Sequence, residues 1–214
     1  MSAGRFLTLE GIEGAGKSTV ARLVAAWLEA RGLPTRLTRE PGGTPLAERV
    51  RQIVLGHGEE PLSAVTETLL MFAARALHVE QVIAPALSRG EWVVCDRFTD
   101  ATRAYQGSGR GVERALIDAL ARAVHPSLSP DCTLLLDLSV TAGLKRARSR
   151  QSAGADRFEV ESGAFFERVR AGYLALAADE PHRVRVIDAT QSLQVVERQV
   201  VVILEELRAA AERS

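Results

Sequence analysis

Phosphate chemistry calls for backbone N–H groups that converge, fixed cations and an oxygen ligand for a divalent metal, and one stretch of this chain offers all three. Gly11-Ile12-Glu13-Gly14-Ala15-Gly16-Lys17-Ser18-Thr19 reads G-x-x-x-x-G-K-[ST], placed between the apolar run Phe6–Leu9 and a segment with helical periodicity. Glycines let successive N–H groups turn inward into an anion nest, and the helix that follows points its positive end at the same spot. Lys17 can reach the β and γ phosphates, and the Ser18 hydroxyl is placed to hold Mg²⁺. A glycine-rich turn with a surface lysine is the bland alternative. The strand before and the helix after favour a loop that binds a nucleoside triphosphate.

Further groups follow at strand ends or on helices. Arg39-Glu40-Pro41-Gly42-Gly43-Thr44 comes directly after the second apolar run. Arg39 suits a phosphate, Glu40 a metal-bound water or a sugar hydroxyl, and Thr44 an N-cap for a helix beginning near Pro45. Asp96-Arg97-Phe98 ends the third run. An acid there can serve a Mg²⁺ site together with Ser18, and the planar fork of Arg97 can pair with a phosphate. Phe72 and Arg75 share a helix face at i, i+3, and Tyr105-Gln106 opens a glycine-rich stretch. Gln both donates and accepts, which suits a pyrimidine edge, while Tyr can wall off a sugar. Lys145-Arg146-Ala147-Arg148-Ser149-Arg150, with Arg157 beyond a run of small residues, reads as a lid over polyphosphate.

These groups need a scaffold that brings strand ends together. Runs of strand length occur at Phe6–Leu9, Thr35–Thr38, Trp92–Cys95, Thr133–Leu138 and Val184–Ile187. Runs of this kind suit strands covered on both faces, hence a parallel sheet. Between them lie amphipathic stretches: Val20, Leu23, Val24, Trp27 and Leu28; Phe166, Val169, Tyr173 and Leu176; and Val196, Val200, Ile203, Leu204 and Leu207. The alternation predicts an α/β fold, a doubly wound five-stranded parallel sheet with helices on both faces and its site at the carboxyl ends of the strands.

Composition narrows the function. The chain has 214 residues, with 27 Lys plus Arg against 27 Asp plus Glu, so a general nucleic-acid surface is not expected. Cys95 and Cys132 fall in or next to buried runs without metal-ligand spacing and read as core thiols. No apolar run approaches the roughly 20 residues of a membrane span, and no leader precedes the first strand, so a cytoplasmic protein without a membrane partner is expected. His57, His78, His125 and His182 fall in no motif.

Taken together, Glu10 to Thr19, Arg39 to Thr44, Phe72 to Arg75, Asp96 to Phe98 and Ala104 to Gly111 resemble thymidylate kinase, in the right order from about residue 5 to Thr190. The Arg-Glu-Pro-Gly-Gly-Thr block and Ala-Tyr-Gln-Gly carry the resemblance more specifically than the phosphate loop does. Gly14, with arginines in the lid instead, resembles the bacterial type. The resemblance implies the P-loop NTPase fold, one nucleoside monophosphate kinase-like domain over 1–214 with a lid at about 145–158, and a homodimer. It implies phosphorylation of dTMP to dTDP with ATP and Mg²⁺, in dTTP biosynthesis.

Site roles follow from the same resemblance. Gly11 to Thr19 (Gly11, Ile12, Glu13, Gly14, Ala15, Gly16, Lys17, Ser18, Thr19) hold ATP, with Lys17 on the transferring group and Ser18 and Asp96 serving the metal. Glu13 lies near the acceptor 3′-hydroxyl, and Arg39 and Arg97 hold the acceptor phosphate. Phe72 stacks on thymine, Arg75 bonds its O4, and Thr102 with Gln106 addresses the ring edge. Glu40 serves the substrate side, Tyr105 favours deoxyribose, and Arg148, Arg150 and Arg157 belong to the lid. The alternatives are a deoxynucleoside kinase or another nucleoside monophosphate kinase. A deoxynucleoside kinase would need a carboxylate base and fewer cations at the acceptor. A regulatory GTPase would need an Asn-Lys-x-Asp segment, which the sequence lacks.

Overall fold

The structure is a computed structural model that describes residues 4–56, 61–149 and 161–211. Its five strands are β1 (Phe6–Glu10), β2 (Thr35–Arg39), β3 (Trp92–Asp96), β4 (Cys132–Asp137) and β5 (Val184–Asp188). They form one parallel sheet in the order β2-β3-β1-β4-β5. Alternate side chains of β1 serve opposite faces. Leu7 and Leu9 join Val94, Cys132 and Leu134 in a core with Val20, Val24 and Leu28 of α1 (Lys17–Glu29). Phe6 packs with Val93, Cys95, Phe98 and Ile83 in a second cluster. The sheet is therefore covered on both faces along β1, β3 and β4. Coverage fails at the edges, where Leu37 of β2 and Val186 of β5 are exposed, because an edge strand lies only partly under the helices. Both cysteines are free and buried, and burial pushes the Cys132 thiol up to about 12.

Helices α2 (Pro45–Leu55), α3 (Ala64–His78) and α4 (Ala84–Ser88) connect β2 to β3. Thr44 caps α2 by accepting from the Ala47 N–H at 3.2 Å, with Pro45 in the first turn. A π-helical turn, Val79–Ile83, joins α3 to α4. The resulting helix, Ala64–Ser88, is long and apolar enough to cross a membrane by length and composition alone. That corrects the expectation that no apolar run approaches this length; within the helix Glu67, Thr68, Phe72, Arg75 and His78 are buried along one side, while Val65 and Leu69 are about half exposed. After β3, α5 (Thr99–Thr102) runs into a second π-helical segment, Arg103–Gly109, in which Tyr105 and Gln106 are buried. Gly109 belongs there because a Cβ would stand 2.6 Å from the Phe165 ring. α6 (Arg114–Val124) leads to β4, α7 (Val140–Arg148) and α8 (Gly163–Asp179) lie between β4 and β5, and α9 (Leu193–Ala211) closes the described chain.

Register decides where the chemistry meets. Arg39 and Leu9 both pair with Asp96, so the ends of β2, β3 and β1 stand on one rung. The loops that leave those ends, beginning at Glu40, Arg97 and Gly11, therefore open onto one rim, where open α/β sheets bind ligands.

Candidate active site

A cavity of about 340 Å³ lies at this rim, lined among others by Glu13, Lys17, Ser18, Arg39, Asp96 and Arg97. The phosphate loop forms one wall. Gly14 adopts φ 74°, and a Cβ on it would collide with the Gly143 carbonyl of α7, so the loop and α7 touch backbone to backbone. α1 begins without a side-chain N-cap, which suits a helix whose first turn faces a phosphate. Lys17 Nζ donates to the Gly11 and Ile12 carbonyls, at 3.0 Å each. Burial, with Arg97 nearby, pushes its amine down to about 8 against the pull of Asp96 and Glu13. Ser18 donates to Asp96 Oδ2 at 2.9 Å, so the hydroxyl and the carboxylate assigned to a metal stand together.

Opposite the loop stands Arg97, the one non-glycine residue with positive φ (72°) among those described. That conformation turns the chain sharply off β3 and sends the guanidinium into the cavity. Nη2 donates to Glu13 Oε1 at 3.0 Å and to the Tyr105 hydroxyl at 2.9 Å, and Nη1 donates to the Tyr173 hydroxyl at 3.1 Å. Burial keeps both phenols well above their ordinary range, so each remains a donor. Tyr105 donates to Glu13 Oε2 at 2.7 Å and Tyr173 to Glu10 Oε2 at 2.6 Å. Glu10, at the end of β1, is fully buried, and burial raises its carboxyl to about 7 against the pull of Arg97.

A third wall comes from α3. Glu67, Met71, Arg75 and His78 follow one another at i, i+4, i+8 and i+11, which places them along one helical stripe. Arg75 is 3% exposed and donates from Nε to Glu40 Oε2 at 2.8 Å. Its Nη2 serves both the Phe98 carbonyl at 3.1 Å and Thr102 Oγ1 at 3.0 Å. The other Glu40 oxygen pairs with His78 Nδ1 at 3.0 Å, and Thr38 meets His78 Nε2 at 2.7 Å. Burial opposes ionisation of Glu40, but Arg75 and His78 hold its carboxyl below the usual value. Glu40 lines the cavity yet has both oxygens engaged inside the protein, which makes it a positioner of Arg75 in this structure rather than an open hydrogen-bond partner.

Phe72, Arg75 and Thr102 are buried and do not line the cavity, whereas Met71, Leu55 and Ala101 do. Phe72 is 2% exposed, packs with Val112 and Ile117, and its ring centroid lies 4.6 Å from the Arg75 guanidinium carbon. Two buried polar atoms here have no hydrogen-bond partner among the described residues, Arg75 Nη1 and Gln106 Oε1. One is a donor and the other an acceptor. Arg39 is half-exposed and held by Glu48 at 3.0 Å, with Nη1 on the Pro41 carbonyl at 3.1 Å.

On the lid side the structure brings less together. Arg148 ends α7, is exposed, and lines a separate groove with Val140, Leu144 and Glu167; only Ala147 of α7 lines the main cavity. Arg150 and Arg157, with most of the expected lid at 145–158, lie outside the described residues. Four contributors escape a reading by motif. Arg51 lines the cavity and donates to the Pro41 carbonyl at 3.0 Å, but in sequence it is one arginine of an amphipathic helix. His78, Tyr173 and Glu67 sit at ordinary core positions of helices. Only a polar residue repeated on the buried stripe of α3 could have drawn attention to two of them.

The family model described as thymidylate kinase matches residues 9–200. This chain belongs to the thymidylate kinase family. It is 55% identical over 196 residues to the thymidylate kinase of Alkalilimnicola ehrlichii, covering 92% of this chain and 90% of that one. It is 53% identical over 209 residues to that of Methylococcus capsulatus, covering 98% and 99%. Among solved structures, the thymidylate kinase of Ehrlichia chaffeensis superposes with a TM-score of 0.76 at 34% identity, covering 94% of this chain and 99% of that one. The thymidylate kinase architecture, a P-loop NTPase fold, accounts for the five-stranded parallel sheet with helices on both faces.

Proposed function

We propose that this chain transfers the terminal phosphoryl group of ATP to dTMP, giving dTDP. Membership of the thymidylate kinase family supports the reaction, and the observation that carries the choice of base is the unpartnered pair Arg75 Nη1 and Gln106 Oε1. Thymine offers a carbonyl at O4 beside an N–H at N3, which a donor and an acceptor satisfy together. Cytosine reverses both positions, leaving an amino group facing Arg75 and a bare nitrogen facing the Gln106 oxygen. Phe72, which does not line the cavity, backs the Arg75 guanidinium, and Thr102 holds Arg75 in place.

The acceptor is a phosphate monoester with a second pKa near ~6, so its attacking oxygen is already anionic at neutral pH and no general base is required. The difficulty lies in bringing two polyanions together in line, which calls for fixed cations. In this reading Lys17 serves the donor phosphates, while Arg97 and Arg39 serve the acceptor phosphate. Glu13, held by Tyr105 and Arg97, faces the sugar. The residues present suit Mg²⁺: it keeps most of its ligands as water and phosphate oxygens, and Ser18 and Asp96 supply a hydroxyl and one carboxylate 2.9 Å apart. Among the described residues no cluster of three or more His, Cys, Asp or Glu could hold a metal alone. When bound, the metal would neutralise charge between the phosphates.

A homodimer belongs to the same reading. Leu46 and Ile53 on α2 and Val65 and Leu69 on α3 are apolar yet about half exposed, and they stand at i, i+7 and i, i+4 on neighbouring helices.

Phosphoryl transfer from ATP to thymidine, dTMP, dCMP, dGMP and AMP, measured side by side, tests the reaction. Turnover with dTMP and none with thymidine is expected. Preferential use of thymidine would replace the reading with a nucleoside kinase, whose acceptor is a neutral hydroxyl.

A further inference from the structure

Glu67 is fully buried on α3 and touches no part of the phosphate chemistry. Its Oε1 accepts from Gln106 Nε2 at 2.6 Å and from Arg110 Nε at 3.0 Å. Arg110 in turn donates to Glu161 at 2.7 Å, and its guanidinium carbon stands 5.2 Å from the Phe165 ring centroid. A carboxylate oxygen already bonded to an arginine can only accept from its next neighbour, so it draws the NH₂ end of the Gln106 amide. The carbonyl end must then point the other way, and Gln106 Oε1 is the buried atom without a partner among the described residues.

We propose that Glu67 is the positioning residue for base selection: by fixing which end of the Gln106 amide faces the base, it makes that wall an acceptor and so demands a base with an N3–H. An amide is ambiguous by itself, because a half-turn about its last torsion exchanges donor for acceptor. A glutamine free to turn would accept from thymine N3–H or donate to cytosine N3 with equal ease. Glu67 removes the second choice, and Arg110 ensures that Glu67 acts as an acceptor. The inference deepens the base assignment made above and rests on it.

The test is steady-state kinetics at saturating ATP, with dTMP and dCMP as acceptors, on the wild type, Gln106→Ala, Glu67→Gln and the double variant. Glu67→Gln keeps the shape but can bond Gln106 in either orientation. Gln106→Ala and Glu67→Gln are each expected to raise KM for dTMP roughly 3- to 10-fold with kcat little changed, as suits one hydrogen bond. Glu67→Gln should also narrow the dTMP-to-dCMP ratio of kcat/KM by about tenfold. In the Gln106→Ala background it should add less than about twofold, because the two residues act as one unit. An equal effect of Glu67→Gln in both backgrounds, or an unchanged base ratio, would show that Glu67 merely holds α3 in place and would overturn the proposal. No effect of Gln106→Ala on dTMP would instead remove the base assignment, and the proposal with it. A wild-type measurement covers poor folding of the variants: the Gln106 side-chain NH₂ should exchange slowly with solvent in the free enzyme, and rapid exchange would overturn the proposal.

Discussion

Arg97 donates to Glu13 at 3.0 Å, so a single ion pair ties the turn after β3 to the phosphate loop after β1 across the floor of the cavity. The two side chains are 17% and 15% exposed, too enclosed to be dismissed as a solvated pair, yet open enough on one side to meet a ligand. Tyr105 bridges them with two hydrogen bonds and Tyr173 holds the guanidinium from below. A cation held in this way is pre-oriented for an anion arriving from the cavity, because little rotamer entropy is left to lose when it binds.

Arg97→Ala should therefore impair use of the monophosphate more than binding of ATP. Charge-assisted hydrogen bonds contribute about 1.5–3 kcal/mol each, which corresponds to a loss of roughly 10- to 100-fold in dTMP affinity. Separate calorimetric titrations with dTMP and with ATP would show it. An equal loss for both ligands would argue that Arg97 serves the site as a whole.

Lys17→Ala should leave a folded protein with kcat lower by roughly 10²–10³, the usual cost of removing one electrostatic stabiliser at a reacting group. The fold should tolerate it, since among the described residues Nζ donates to the loop carbonyls of Gly11 and Ile12 and to no core group. Near-normal kcat in the folded variant would contradict the assignment.

How much of this was legible beforehand follows from what each residue depends on. The turn of Gly11 to Thr19 between β1 and α1 is legible because it is local: Gly11, Gly14 and Gly16 take the positive φ that such a loop needs. The pairing of Ser18 with Asp96 could be anticipated because each closes or follows a strand of a parallel sheet. Glu40 was read as a group facing the substrate, and its occupation by Arg75 and His78 was not legible, because that pairing joins residues 35 and 38 positions apart. His78 looked idle since it stands in no motif, although it shares the α3 stripe with Arg75. The role of Tyr173 was hidden by its core-like place in the apolar stripe of α8. The π-helical form of Arg103–Gly109 has no signature in its glycine-rich sequence; Gly109 is needed there because the segment presses on Phe165 of α8.

Removing the support behind Arg75 should be costly without touching a ligand. His78→Ala leaves one oxygen of buried Glu40 and the Thr38 hydroxyl without their partner, at about 1–3 kcal/mol of stability. Urea unfolding should show that loss together with a raised KM for dTMP. Unchanged stability would mean that the Thr38–His78–Glu40 chain of hydrogen bonds carries little.

Glu10 predicts a particular dependence of stability on pH. Its carboxyl is raised from 4.5 to about 7, so between those values the folded protein holds a proton that the unfolded chain has released. Stability from this group is present in full below about pH 4.5 and is lost as pH rises through 7. The difference amounts to roughly 2–3 kcal/mol between pH 5 and pH 8. Glu10→Gln, which cannot titrate, should lose this slope. Unfolding free energies of both proteins across that range would test it, and parallel profiles would rule out Glu10 as the titrating group.

The acceptor base should be thymine, tolerated next as uracil and rejected as cytosine. Arg75 can only donate, and the Gln106 atom left open is an acceptor, so cytosine meets a mismatch at both positions while the buried groups lose their partners. A site built to bond one partner discriminates strongly against an analogue that leaves such groups unpaired, so dTMP should exceed dCMP by a large factor in kcat/KM. dUMP satisfies both hydrogen bonds and lacks only the 5-methyl, a loss of roughly 1–3 kcal/mol in a fitted apolar pocket. It should therefore fall between them. Competition among dTMP, dUMP, dCMP and dGMP at limiting acceptor would rank all four in one experiment. A preference for dCMP or for the purine would overturn the roles of Arg75 and Gln106, while leaving the phosphate loop and Arg97 as they stand.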